Sequence, residues 1–233
     1  MVSVPGAVRV HVAFTPDETA SVPVAVVVDV LRATSTIAQA LASGYRRVLC
    51  CAEIEEARRL RGEIEGSLVG GEREARRIDG FDVGASPREF LEPRADTLIL
   101  STTNGTRTIL RAAERCEVVL LGSLLNLGAV ADELRTRGED AVVVCAGFKG
   151  AFALDDAYCA GRIVALLEAE RSDAAIAAEL IARSFADAHT ALLARTYGPP
   201  GLEEDILFCS RESVLPVVPR LAGVDDGAAE IVA

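Results

Sequence analysis

The sequence contains no tryptophan, one methionine, two histidines and a single lysine, Lys149, although arginine is abundant. Long apolar runs are also missing. The run Val24–Val28 ends at Asp29, whereas a helix that crosses a membrane needs roughly 20 apolar residues. The first residues show no basic segment followed by an apolar one, so we expect no secretory signal. These absences predict a cytoplasmic protein that has no membrane partner.

Several signatures of catalysis and metal binding are absent as well. None of the six cysteines forms a CxxC pair, which disfavours a zinc ribbon and predicts buried, reduced thiols. The sequence has no GxSxG nucleophile elbow, no Walker A motif and no CxxxxxR phosphatase loop. We interpret His11, on a predicted strand, and His189, on a late helix, as structural residues. This interpretation disfavours phosphohistidine chemistry.

Charge and length narrow the function classes further. The chain of 233 residues has 35 acidic and 24 basic side chains, which give a net charge of −11. An acidic protein is repelled by nucleic acid and by anionic membranes, so we expect neither as a partner. Half of the residues are apolar, which is enough for a single domain with a sizeable core.

The apolar pattern predicts an α/β fold. Runs without alternation are typical of strands that are buried on both faces, and we place strands at Val8–Phe14, Val24–Leu31, Arg47–Cys51, Leu68–Gly70, Thr97–Ser101, Val118–Gly122, Ala141–Ala146 and, late in the chain, Leu215–Val218. Helical patterns follow at Ala33–Ser43, Ile54–Arg61, Thr106–Arg115, Leu124–Arg137, Asp156–Glu170 and Ser172–Arg195. We therefore predict a mostly parallel sheet flanked by helices in three layers, with a helical C-terminal region.

Polar residues gather where the predicted strands end, which is where open α/β sheets bind ligands. Asp29 follows a buried apolar strand, and an ionised carboxylate there needs a cation or hydrogen bonds. Arg32, Thr34 and Ser35 follow at a helix start. Backbone N–H groups and a guanidinium favour an anion there. Ordinary helix capping with an Asp29–Arg32 ion pair is the alternative.

Four further junctions carry candidate residues. Glu72 follows two glycines, and Ser86 with Pro87 is typical of a helix start. The turn with Thr103, Asn104, Gly105 and Thr106 can bind phosphate through its N–H groups. The remaining candidates are Lys149 between two glycines, Asp155 and Asp156 at a helix start, and, more weakly, Asn126. Each of these could instead be a cap or a solvated residue.

Together these segments resemble the 2-phosphosulfolactate phosphatase family of coenzyme M biosynthesis. The matching pieces include Asp29-Val-Leu-Arg-Ala-Thr-Ser-Thr36, Gly80-Phe-Asp-Val-Gly-Ala-Ser-Pro87, Thr102-Thr-Asn-Gly-Thr106, Ala146-Gly-Phe-Lys-Gly150 and Leu154-Asp-Asp156. The resemblance implies a Mg²⁺-dependent enzyme that hydrolyses 2-phospho-3-sulfolactate to 3-sulfolactate and phosphate. Family members often have asparagine at the position of Ala85, which leaves the exact substrate preference open.

We assign these residues roles in the binding and hydrolysis of such a small anionic phosphoester. We expect Asp29, Glu72, Asp155 and Asp156 to hold Mg²⁺, which prefers hard oxygen ligands. Arg32 and Lys149 would act with Asp29 in catalysis, and the Thr, Ser and Asn side chains named above would bind substrate. Direct attack by water is favoured over a phosphoaspartyl intermediate on Asp29, because a DxD pattern is absent. Another phosphorylated hydroxy acid as substrate, a non-catalytic anion-binding module and a homo-oligomer remain alternatives.

Overall fold

The computed structural model describes residues 8–198 and 200–233, so the prediction about the first residues lies largely outside the described part. One eleven-stranded sheet forms the centre of the molecule. Its strands are β1 Arg9–Ala13, β2 Val24–Val28, β3 Arg47–Cys51, β4 Leu68–Arg73, β5 Arg76–Arg77, β6 Thr97–Ser101, β7 Val118–Gly122, β8 Ala141–Cys145, β9 Glu170–Arg171, β10 Arg220–Asp225 and β11 Ala228–Val232.

The strand order is β5-β4-β6-β3-β11-β10-β7-β2-β8-β1-β9. Two parallel blocks, β4-β6-β3 and β7-β2-β8-β1-β9, make up most of the sheet. The hairpin of β10 and β11 joins the blocks through antiparallel ladders. The sheet is therefore mixed but mostly parallel, as the apolar runs predicted.

Helices cover both faces of this sheet. They are α1 Ala33–Ala42, α2 Ile54–Glu63, α3 Gly105–Ala113, α4 Leu127–Arg137, α5 Leu154–Ala165, α6 Asp173–Arg183, α7 Ala188–Leu193 and α8 Glu203–Cys209. Strand β2 shows the three layers directly, because all five of its residues are buried. Val24, Val26 and Val28 pack into one apolar cluster, while Ala25 and Val27 pack into another on the opposite face.

One predicted strand needs correction, and two observed strands were not predicted. The segment Leu215–Val218 is not a strand; it runs alongside α4, where the Leu215 N–H donates to the Leu125 carbonyl. The late strands are instead β10 and β11. Strand β10 is mostly exposed and carries no apolar run, so its sequence gave no strand signal. The predicted helical C-terminal region is present as α6, α7 and α8, and the hairpin follows it.

No helix in the described part of the chain combines the length and apolarity that crossing a membrane requires. The six cysteines are all free and buried. Burial raises the pKa of the Cys145 thiol well above its ordinary value, which keeps that thiol protonated and unreactive at neutral pH. The prediction of buried, unpaired thiols is confirmed.

Candidate active site

A cavity of about 370 Å³ lies where the loops after β2, β4, β6 and β8 meet. Residues from each loop line it, namely Asp29, Glu72, Thr103 and Phe148. The segment between α7 and α8 closes one side through Arg195 and Tyr197. The chain thus brings four of the predicted strand-end junctions to one place, together with a segment that the sequence analysis did not single out.

Asp29 occupies the centre of this arrangement at the start of α1. Its Oδ1 accepts a hydrogen bond from the Ala33 N–H at 3.2 Å, and its carbonyl accepts from the Thr34 N–H at 3.0 Å. Its Oδ2 receives no hydrogen bond from a described residue. Burial, opposed by the Ala33 hydrogen bond and reinforced by the nearby Asp155 and Glu72 carboxylates, raises the pKa of Asp29 to about 7.

The hydroxyl groups that follow Asp29 do not reach the cavity. Thr34 and Ser35 are fully buried. The Thr34 hydroxyl donates to the Asp29 carbonyl, and the Ser35 hydroxyl donates to the Val30 carbonyl. The N–H groups at the start of α1 are bound to Asp29 itself. The predicted anion site at this helix start is therefore filled by the protein's own carboxylate, and both hydroxyls stabilise the turn.

Glu72 and Asp155 border the same cavity as Asp29. Glu72 accepts hydrogen bonds from the Thr103 hydroxyl and N–H through Oε1, and from the Ala75 N–H through Oε2. Asp155 Oδ1 accepts hydrogen bonds from the Asp156 N–H and from the Tyr197 hydroxyl. The contact with Tyr197 is a short one. Burial raises the pKa of Asp155. Protein donors thus fix both carboxylates in orientation.

Asp156 lies behind the cavity wall. Its Oδ1 accepts from the Val30 N–H at 2.9 Å and its Oδ2 from the Gly147 N–H at 3.0 Å. Burial first, and then the charges of Asp155 and Asp29, raise its pKa well above the ordinary value. Both oxygens therefore join the β2 and β8 loops, and the structure gives Asp156 a structural place rather than the predicted one on the metal.

The donor set at the cavity suits a hard divalent cation. Asp29 Oδ2 and Asp155 Oδ2 receive no hydrogen bond from a described residue, and the Asp155 and Glu72 charges help to raise the pKa of Asp29. Among the described residues, no group of three or more His, Cys, Asp or Glu is arranged so that it could hold a metal ion by itself. Mg²⁺ does not need one, because it usually combines one or two carboxylates with waters and substrate phosphate oxygens.

The start of α3 is the part of the site best suited to a phosphate. Asn104 is the N-cap residue, but its side chain makes no capping hydrogen bond. The first N–H groups of a helix have no partner within the helix, and the dipole favours an anion there. Thr103 and Asn104 line the cavity, and the buried Thr106 hydroxyl pairs with Thr102 at 3.2 Å. Thr103 and Asn104 are thus placed to meet a ligand, whereas Thr106 is buried, and the substrate-binding role of the turn stays a prediction.

Gly105 lets α3 approach Asp29. A Cβ built on Gly105 would lie 2.9 Å from Asp29 Oδ2 and would also collide with the Ala33 side chain. Only a residue without a Cβ fits such a contact without a shift of the backbone. The turn at the start of α3 and the Asp29 carboxylate therefore face the same small volume.

The two predicted catalytic cations differ in their surroundings. Arg32 is buried; it donates to Asp205 Oδ2 at 2.7 Å and to the Ala75 carbonyl at 3.2 Å. Lys149 has a side chain that is 64 % exposed, and its Nζ lies 3.6 Å from Glu74 Oε1. Both line the cavity, but each already has an anionic partner.

Ser86 and Asn126 lie outside the cavity lining. The Ser86 hydroxyl donates to Asp205 Oδ1, so it orients the partner of Arg32. Asn126 is fully buried, and its amide donates to the carbonyls of Leu121 and Val217. Both predicted substrate-binding residues therefore act here through protein contacts.

The sequence analysis missed Arg195 and Tyr197. Tyr197 donates to Asp155 and stacks on Phe148, with ring centroids 4.9 Å apart. Both residues precede the break Gly198-Pro-Pro-Gly201, a signal of a loop. Nothing in the sequence shows that this loop returns to the ends of β2 and β8, because α6 and α7 lie between.

Comparison with known proteins identifies the relatives of this chain. A family model described as 2-phosphosulpholactate phosphatase matches residues 12–223. The chain belongs to this family of phosphoric monoester hydrolases. A probable 2-phosphosulfolactate phosphatase of Thermotoga petrophila is 39% identical over 220 residues, covering 91% of this chain and 95% of its own length. Proteins with the same printed name from Carboxydothermus hydrogenoformans and Clostridium acetobutylicum are 37% and 36% identical, over 91% and 84% of this chain and 92% and 88% of their own lengths.

Proposed function

We propose that this family member is a Mg²⁺-dependent phosphatase that hydrolyses 2-phospho-3-sulfolactate to 3-sulfolactate and phosphate, a step of coenzyme M biosynthesis. The observation that carries the proposal is the meeting of three carboxylates and one uncapped helix start in a single cavity. Asp29, Glu72 and Asp155 supply the acidic side. The start of α3 supplies N–H donors for an anion.

The carboxylates and the helix start have separate tasks in this proposal. Asp29 and Asp155, which each keep one oxygen without a hydrogen bond, would hold Mg²⁺, and Glu72 would add negative charge beside them. The ion would neutralise charge on the transferring phosphoryl group. The N–H groups at the start of α3 bind phosphate oxygens, and the Thr103 hydroxyl holds Glu72 in place beside them. The Arg32 guanidinium, held by Asp205, adds a fixed positive charge at the wall. Binding and positive charge are thus concentrated where the substrate's phosphate would lie.

We favour attack by water over a phosphoaspartyl intermediate. In phosphatases that form such an intermediate on a DxD motif, a second aspartate follows the nucleophile by two residues, and Leu31 occupies that position here. The Asp29 carboxylate is also tied to the Ala33 N–H through Oδ1, which limits its movement towards a phosphorus atom. A burst of bound phosphate at the first turnover would argue for the covalent route.

A second candidate substrate is another small phosphorylated hydroxy acid. Ala85 borders the cavity, at a position where family members often carry asparagine. The shorter side chain removes a polar contact and widens that wall. The two candidates share the reaction and differ in the group beside the phosphate.

The test is phosphate release from 2-phospho-3-sulfolactate, 2-phospholactate and 2-phosphoglycerate, each with Mg²⁺ and with EDTA. We expect Mg²⁺-dependent turnover with the highest kcat/KM on the sulfonated substrate. A higher kcat/KM on an unsulfonated substrate would favour the second candidate. Absence of turnover on every ester, with binding retained, would instead identify a non-catalytic anion-binding module.

A further inference from the structure

Three cationic side chains line the cavity, and two of them are engaged by carboxylates. Arg32 is paired with Asp205, and Lys149 lies 3.6 Å from Glu74. Arg195 is the third, and it forms no salt bridge with any residue that the structure describes. The Arg195 charge does act on Asp155, where it opposes the rise of the pKa, but no described carboxylate lies within salt-bridge distance of it. A half-buried guanidinium placed in this way beside a cavity is a site for an anion from outside.

The surroundings of Arg195 hold its guanidinium at the cavity. Its Nε lies 3.7 Å from the position that a Cβ on Gly198 would take, so the side chain packs over the Gly198 backbone. Tyr197, next in the same loop, donates to Asp155 and stacks on Phe148. The loop that carries Arg195 is thus bound through Tyr197 both to Asp155 and to Phe148 in the loop after β8.

We propose that Arg195 binds the substrate's sulfonate and so determines the preference for sulfonated phosphoesters. This inference rests on the proposed function. The phosphate has its own donors at the start of α3, on a different loop, and the sulfonate is a second, permanently ionised group. Sulfonate oxygens are weak acceptors, so they are best held by a donor that is always charged and weakly hydrated. Arginine meets both conditions better than lysine does.

The experiment compares two substrates that differ only in the sulfonate, 2-phospho-3-sulfolactate and 2-phospholactate, on the Mg²⁺-loaded enzyme. The variants are Arg195→Gln, which removes the charge, and Arg195→Lys, which keeps the charge but loses the planar fork. Arg58→Gln is the matched control, since Arg58 lies on the exposed side of α2 away from the cavity.

We expect Arg195→Gln to lower kcat/KM for the sulfonated ester by about 10- to 100-fold, the loss typical of one charge-assisted contact. The change for 2-phospholactate should stay within about threefold, so the selectivity ratio falls. Arg195→Lys should restore part of that ratio, and Arg58→Gln should leave both substrates unchanged. A structural defect would instead lower both values together.

Equal losses on the two substrates would overturn the role of Arg195 while leaving the phosphatase proposal intact. If the wild-type protein hydrolyses neither ester, the phosphatase proposal fails and the sulfonate site is tested by calorimetry with 3-sulfolactate and lactate. The wild type should then bind 3-sulfolactate more tightly, and Arg195→Gln should abolish the difference. Equal binding of both acids by the wild type would overturn the sulfonate site.

Discussion

Among single residues, Asp29 combines two tasks in one carboxyl group. Oδ1 caps the start of α1 through the Ala33 N–H, and Oδ2 faces Gly105 at the start of α3. The same side chain therefore builds the local turn and contributes charge to the cavity. Its neighbours Asp155 and Glu72 help to raise its pKa, which shows that the three carboxylates share one electrostatic environment.

The substitution Asp29→Asn separates these tasks. Asparagine keeps an oxygen that can accept from the Ala33 N–H but removes the negative charge. We expect kcat with Mg²⁺ to fall by at least roughly 10²-fold, because metal-based charge stabilisation is worth several kcal/mol. Steady-state phosphate release measures this, with Asp82→Asn as the control: Asp82 lies outside the cavity lining and pairs with Arg61. Near wild-type turnover would remove Asp29 from the reaction.

The types of residue at this site could be predicted from the sequence, but the directions in which their side chains point could not. Asp29 and Glu72 are candidates because they follow predicted strands, and Asp155 because it lies at a predicted helix start. Thr34 and Ser35 have the same position in sequence, yet their hydroxyls turn to backbone carbonyls. Which side of a turn a hydroxyl faces depends on the packing of α1 against the sheet, and that information is not local.

Among the elements, α3 places its first turn beside Asp29, and Gly105 makes the contact possible. The substitution Gly105→Ala introduces a methyl group that would lie 2.9 Å from Asp29 Oδ2 and collide with Ala33. We expect a destabilisation of about 1–3 kcal/mol, together with a large loss of kcat/KM as the two helix starts separate. Urea unfolding and kinetics on the same preparation measure both effects.

The matched control for that substitution is Gly62→Ala in α2, where a new Cβ meets nothing within 4 Å. Alanine is favoured over glycine inside a helix by up to about 1 kcal/mol, so this variant should be as stable as the wild type or more so. Equal effects of the two substitutions would show that the contact between α1 and α3 is looser than the structure indicates.

Strands that are buried apolar runs were predicted with the correct bounds, whereas β10, which is mostly exposed, was not predicted. Strands β3, β6 and β7 have the predicted bounds, because each is an apolar run. Strand β10 is mostly exposed, and β11 pairs with β3 across nearly the whole length of the chain. Strand β11 is short but largely apolar and buried, yet nothing local in its sequence indicates that it pairs with β3, so the central position of the hairpin could not be inferred.

The whole molecule is a three-layer α/β fold, and the pattern of apolar residues in its strands predicts that fold class. Alternate residues of β2 face different apolar clusters, and that double burial is what an uninterrupted valine run predicts. The meeting of the β2, β4, β6 and β8 loops in one cavity was expected from strand ends in general. The closure of that cavity by the loop after α7 depends on tertiary packing and could not be predicted.

The carboxylate cluster also links the stability of the whole molecule to pH. Burial raises the pKa of Asp29 from 3.8 to about 7, so the folded state keeps a proton that the unfolded state releases. Where the folded state binds more protons, the free energy of unfolding falls as pH rises. The contribution of Asp29 to stability should therefore decline between about pH 4 and pH 7 and stay lost above that.

The substitution Asp29→Asn should remove this part of the pH dependence. In EDTA at pH 8 we expect the variant to be more stable than the wild type by a few kcal/mol, in order of magnitude, and the gap should close towards pH 4. Urea unfolding at a series of pH values measures the gap. Mg²⁺ at pH 8 should stabilise the wild type more than the variant, because a ligand of the folded state adds to its free energy of unfolding. If the two proteins show the same pH slope in EDTA, burial does not hold a proton on Asp29, and the carboxylate is already ionised in the empty cavity.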